Sequence, residues 1–146
     1  MSTVTSSIEI NSSPEHVRKV LLDFENMSSW TQGFIRSIQP ANPDKKNIEK
    51  GDKLNVKLEG ASFSPVVLEN SPELFQWRGS IPLLFNGDHS FRFEPGTTPG
   101  TTMFHHSEKF TGILTLLLKV MPQTSKQKEG FDGFNSDFKI RVESLK

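Results

Sequence analysis

Two histidines and a glutamate recur at alternate positions in a stretch otherwise dominated by phenylalanine. Between Leu84 and Gly112 the chain reads FNGDHSFRFEP, a Gly/Pro/Thr loop, then TTMFHHSEKFTG. Side chains alternate between the two faces of a strand. Phe85, Gly87, His89, Phe91 and Phe93 therefore share one side of the first run, and Thr102, Phe104, His106, Glu108 and Phe110 share one side of the second. A hairpin closed by the loop Pro95–Gly100 and pairing Phe91 with Phe104 sets His89 against His106 and Gly87 against Glu108. Two imidazoles and a carboxylate then meet on an apolar, inward surface. One chemistry open to His89, His106 and Glu108 is general acid–base catalysis, with the carboxylate orienting an imidazole that moves a proton on a bound carbonyl compound. The same groups can instead orient a ligand's oxygens without reacting, or satisfy one another as a buried polar ladder. Two His and one carboxylate can also make a facial metal triad, but no diagnostic spacing accompanies them, and no metal site is read here. By the same parity His105, Arg78 and Arg92 face outward.

The composition narrows the partners. At 146 residues the chain fits a single domain spanning 1–146, long enough to bury a core. Its 17 basic and 17 acidic residues cancel, which gives no reason to expect nucleic acid or an anionic membrane surface as a partner. With no cysteine, disulfides, thiolate metal sites and cysteine nucleophiles are excluded. No apolar run reaches the roughly 18–20 residues of a membrane span, and MSTVTSSIEI lacks the basic start and apolar core of a signal peptide. A cytoplasmic location is the expectation. Twelve Phe and two Trp stand beside no Tyr, so no phenol is available as an acid or oxyanion donor.

The elements that must position the cluster can be read in order. Val4–Ile10 is a weakly alternating strand. Ser13, Pro14 and Glu15 start a helix as N-cap, first residue and dipole partner, and Val17, Val20, Leu21 and Phe24 give it an apolar stripe. Glu25–Trp30 is a second short helix or turn. Strands follow at Gly33–Gln39, Lys53–Glu59, Phe63–Glu69 and Glu73–Ser80; Pro65 puts an edge or bulge in the third of these. Trp77 shares the face of Phe75. After the hairpin, Ile113–Val120 is too apolar for an ordinary loop, and reads as a buried helix, a gate or a homodimer contact. Gln123–Leu145 is a long helix with Phe131, Phe134, Phe138 and Val142 on one stripe, in which Gly130 and Gly133 allow a close approach or a kink.

A strand, two short helices, six strands and a long helix make an α+β chain with an antiparallel sheet of about seven strands. That order resembles the START-like, Bet v 1-type SRPBCC superfamily of polyketide cyclases/dehydrases and lipid-transport proteins. The matching pieces are SSPEHVRKVLLDFENMSSW, GDKLNVKLEG, LFQWRGSIPLLFNGDHSFRFEP, TTMFHHSEKFTG and GFDGFNSDFKIRVES. The resemblance implies a helix-grip fold, in which a curved sheet wraps the C-terminal helix around a hydrophobic cavity. It implies a small hydrophobic or aromatic ligand, lipid- or polyketide-like, held without a cofactor. Trp77, Phe85, His89, Phe91, Phe104, His106, Glu108, Phe110, Phe131, Phe134 and Phe138 are then the candidate ligand contacts. The alternative is a cofactor-independent cyclase, dehydratase or isomerase using the His/Glu pair. Because one fold hosts many functions, the resemblance speaks to architecture more than to chemistry.

Overall fold

The structure, a computed structural model, describes residues 2–81, 84–113 and 123–145. Strand β1 (Ser2–Ile10) leads into α1 (Pro14–Leu22) and a short 3-10 helix (Phe24–Ser29). Then come β2 (Ile35–Pro40), β3 (Leu54–Leu58), β4 (Ala61–Phe63), β5 (Val66–Asn70), β6 (Leu74–Ile81), β7 (Phe85–Pro95) and β8 (Thr102–Thr111). Helix α2 (Gln123–Ser144) closes the order. Helix α1 starts where the sequence places it, with the Ser13 hydroxyl accepting from the His16 amide and Val17, Val20 and Leu21 buried.

The strands form two antiparallel sheets, β1-β8-β7-β6-β5 and β2-β3-β4. An isolated bridge between Lys53 and Val66 joins them, flanked by hydrogen bonds from Leu54 N to Pro65 O (2.9 Å) and from Val67 N to Asp52 O (2.8 Å). The described residues hold eight strands, where the sequence suggests about seven. The single run expected at Phe63–Glu69 is cut at Ser64–Pro65. Phe63 pairs with Val56 in the small sheet, and Val66 pairs with Arg78 in the large one. Pro65 carries no amide hydrogen to continue a ladder, so the chain changes sheets there.

Helix α2 packs chiefly against β1, with Phe131, Phe134, Phe138 and Val142 completely buried. Burying each such side chain contributes about 1.5–3 kcal/mol. Trp30, after the 3-10 helix, covers the helix from another side, its ring 5.5 Å from those of Phe134 and Phe138. Polar ties fix the helix along its length. Asp137 accepts from the Gln32 amide (3.1 Å), Lys139 donates to the Glu9 carbonyl (2.5 Å), and Glu143 accepts from the Asn11 amide (2.9 Å). A curved antiparallel sheet gripping a long C-terminal helix is the helix-grip architecture. Among the described residues no helix is long and apolar enough to cross a membrane. Of the apolar stretch Ile113–Val120, only Ile113 is described, and it is exposed at the end of the hairpin. The rest of that stretch lies outside the described residues.

Candidate functional site

The β7–β8 hairpin pairs in a register two residues away from the one expected. Phe93 stands opposite Phe104, Phe91 opposite His106, His89 opposite Glu108, and Gly87 opposite Phe110. The expected register would put Gly96 across from Pro99, which has no amide hydrogen to donate. Instead the ladder ends at Pro95–Thr102 and a wider loop closes it. There the Gly96 amide donates to Thr101 O (2.9 Å), and Gly100 takes a positive φ of 83°. A shift of two leaves the faces unchanged, because side-chain direction repeats every second residue. His89, His106 and Glu108 all still point inward, with the two histidines now on a diagonal.

Diagonal placement produces a string of contacts. The Glu108 carboxylate lies 3.2 Å from His89 Nδ1, and His89 Nε2 lies 2.5 Å from His106 Nε2. His106 Nδ1 lies 3.0 Å from Asn135 Oδ1 on α2. Asn135 Nδ2 donates to the Ser6 hydroxyl on β1 (3.1 Å), and Ser6 donates to Asp132, one turn before Asn135. The string thus crosses the core from one carboxylate to another. Every imidazole nitrogen is occupied by a neighbour in the string, so the residues do not converge on a metal-sized point.

Aromatic rings sheathe these polar atoms. Phe131 stacks on His106 with centroids 4.1 Å apart and planes 5° from parallel. Trp77 stacks on His89 at 4.8 Å, and Phe91 lies 4.7 Å from His106. Phe104 reaches Phe138 at 4.8 Å, Phe134 reaches His106 at 5.2 Å, and Phe85 reaches Phe110 at 5.4 Å. The candidate contacts therefore form one continuous web, most of it packed ring against ring. Burial pushes the His106 pKa well below the usual 6.5, and the neighbouring His89 adds to this; the Asn135 hydrogen bond opposes both.

Exposure along the string is graded. The Glu108 side chain is 20% exposed, His89 4%, and His106 not at all. Gly87 makes room for the carboxylate, since a Cβ there would stand 2.8 Å from Glu108 Oε1. Half-buried Phe85 and Phe34 flank this end of the core, and exposed Leu84 and Ile113 lie at the same end of the hairpin. Gly112 is obligatory beside them: its φ is 107°, and a Cβ would come within 2.4 Å of the Leu84 carbonyl. The larger surface cleft, of about 780 Å³, lies elsewhere, between Arg18, Leu22 and Phe24 on one side and Lys45, Lys46 and Ile48 on the other.

Outward-facing residues behave as parity demands. Arg78 forms a two-pronged ion pair with Asp88 (2.7 and 2.9 Å), Arg92 is exposed, and His105 bonds Ser7 and Glu94. Asn135, Ser6, Asp132 and Phe34 escape the sequence reading. Asn135 was detectable: it sits one turn after Phe131 on the buried stripe, a polar residue where the pattern asks for an apolar one. Ser6 is likewise the polar member of the inward set Val4, Ser6, Ile10.

A family model described as polyketide cyclase / dehydrase and lipid transport matches residues 1–136. No curated protein matches the chain in sequence. Similar solved structures include a Helicobacter pylori protein described as hypothetical (TM-score 0.73, 11% identity, 97% of this chain and 88% of that one). Another is a START superfamily protein from Mycobacterium smegmatis (TM-score 0.69, 17% identity, 99% of both chains). A third is norcoclaurine synthase from Thalictrum flavum, in complex with dopamine and hydroxybenzaldehyde (TM-score 0.68, 9% identity, 99% of this chain and 88% of that one). At these identities the likeness concerns the fold.

Proposed function

The chain belongs to the polyketide cyclase/dehydrase and lipid transport family, and from that premise we propose that it binds a small hydrophobic or aromatic molecule between the sheet and α2, at the Glu108 end of the aromatic web. The observation that carries this reading is the exposure gradient along the polar string. Apolar surroundings with a few convergent polar groups are the usual make-up of a small-molecule site. Here Glu108 and His89 are the polar groups within reach of the surface, and Leu84, Ile113, Phe85 and Phe34 supply apolar surface beside them. A ligand would part the half-buried Phe85 and Phe34 rings, place a hydroxyl on the Glu108 carboxyl, and lay its apolar body toward Trp77, Phe110 and Phe131.

A second reading follows from the 3.2 Å contact between Glu108 and His89 at that accessible end. On it the pair moves a proton on a bound carbonyl compound, as a cyclase, dehydratase or isomerase that needs no cofactor. Native mass spectrometry of the protein as purified should reveal a co-purifying small molecule. Titration with the neutral naphthyl ketone prodan should saturate with a blue shift. Absence of both a bound molecule and prodan binding would sink the binding reading. Glu108→Gln separates the two readings. A binder loses about 1.5 kcal/mol, roughly tenfold in affinity for a naphthol whose hydroxyl donates to the carboxyl, whereas an enzyme keeps its ligand and loses turnover.

A further inference from the structure

The string from Glu108 to Asp132 has a direction that its end groups impose. Asp132 is an exposed carboxylate, paired with Lys128 at 3.2 Å, and can only accept. The Ser6 hydroxyl therefore spends its one proton on Asp132, and its oxygen accepts from Asn135 Nδ2. That turns Asn135 Oδ1 toward His106, so His106 Nδ1 carries a proton and donates. A neutral His106 then has a bare Nε2, which accepts from His89 Nε2. What remains is His89 Nδ1 facing the Glu108 carboxyl, two acceptors at 3.2 Å unless one more proton lies between them. A string that ends in a carboxylate at both ends contains one proton more than its neutral links supply.

We propose that Asp132 is a positioning residue that fixes this direction, so that the surplus proton is held between Glu108 and His89 and the remaining lone pairs of the Glu108 carboxyl meet a ligand as a hydrogen-bond acceptor. Two observations exclude the other places for that proton. Placing it on Asp132 conflicts with the Ser6 hydrogen bond and the Lys128 ammonium, which hold the Asp132 carboxyl below its ordinary range. Placing it on His106 would create an imidazolium with no exposure at all, at a residue that burial already disfavours as a cation. The Glu108–His89 end is where the string reaches solvent. Resting on the binding reading above, this assigns the ligand class: a molecule that brings a donor to the Glu108 carboxyl, such as an alcohol, phenol or amine, in preference to one with acceptors alone.

The test is a long-range ¹H–¹⁵N correlation spectrum of the full ¹⁵N-labelled chain without ligand. His106 is expected as the Nδ1–H tautomer; a His106 protonated on Nε2 alone overturns the proposal. In Asp132→Ala, an exposed helix position, the Ser6 hydroxyl is released and both directions open. The two His106 nitrogen shifts should then move toward each other, while circular dichroism reports an unchanged fold. Ser6→Ala cuts the same link from the strand side and should move them the same way. Unchanged His106 shifts in both variants overturn the role of Asp132. Prodan is absent from this experiment, so its failure leaves the binding reading standing. A chain with the expected tautomers that takes up no ligand overturns the binding reading alone.

Discussion

His106 holds two polar nitrogens in a place closed to solvent, and its cost and worth are both set by neighbours. Replacing it by phenylalanine keeps an aromatic plane for Phe131 but strands Asn135 Oδ1 and His89 Nε2. An unpartnered buried polar atom costs about 1–3 kcal/mol, so His106→Phe should destabilise the chain by roughly 2–4 kcal/mol in urea unfolding followed by tryptophan fluorescence. Stability should also depend on pH through this residue. The folded His106 stays neutral because its pKa is depressed, whereas the unfolded residue binds a proton below about 6.5. The unfolded state then carries the extra proton, and the contribution present above pH 6.5 is lost as pH falls, by up to about 1.4 kcal/mol per unit. The gap between wild type and His106→Phe should therefore narrow below pH 6.5. A gap that stays constant from pH 7.5 to 5 would contradict a neutral buried imidazole.

At the scale of elements, two glycines in α2 look alike in sequence and differ in the fold. A Cβ on Gly130 would meet Phe34 Cδ1 at 3.0 Å, while one on exposed Gly133 meets nothing within 4 Å. Gly133→Ala should therefore stabilise the chain by about 0.5–1 kcal/mol, the usual helix-interior gain. Gly130→Ala should forfeit that gain, because the Phe34 ring must shift off Phe131. Equal stabilisation by both substitutions in urea titrations would show that the approach of Phe34 imposes no constraint. The hairpin teaches a related lesson. Alternation along β7 and β8 was enough to place His89, His106 and Glu108 on the inner face. Which residue opposes which depended on the loop, where Pro99 cannot donate, and a slip of two residues is invisible to a period of two.

For the whole molecule, the proposed opening lies where the hairpin, α2 and the segment before β2 meet. Leu84 (42% exposed) and Ile113 (68%) give that end its free apolar surface. Changing both to serine should leave thermal stability within about 2 °C, since exposed substitutions rarely exceed about 0.5 kcal/mol. If a ligand covers them, prodan affinity should fall about fivefold, near 1 kcal/mol. Unchanged affinity would move the site elsewhere, with the Arg18–Lys45 cleft the next place to look. The sequence by itself determined the order of elements, the inward faces and the Phe stripe of α2, because these follow from local periodicity and from Pro and Gly chemistry. It also carried the family resemblance that the helix-grip fold bears out. Only the tertiary structure decided the sheet change at Pro65, the register that puts His89 opposite Glu108, and the joining of Asn135, Ser6 and Asp132 to the histidines. Those contacts span more than a hundred residues of chain, between β1 and α2, and no local pattern encodes a hydrogen bond whose partners meet only when the sheet closes on the helix.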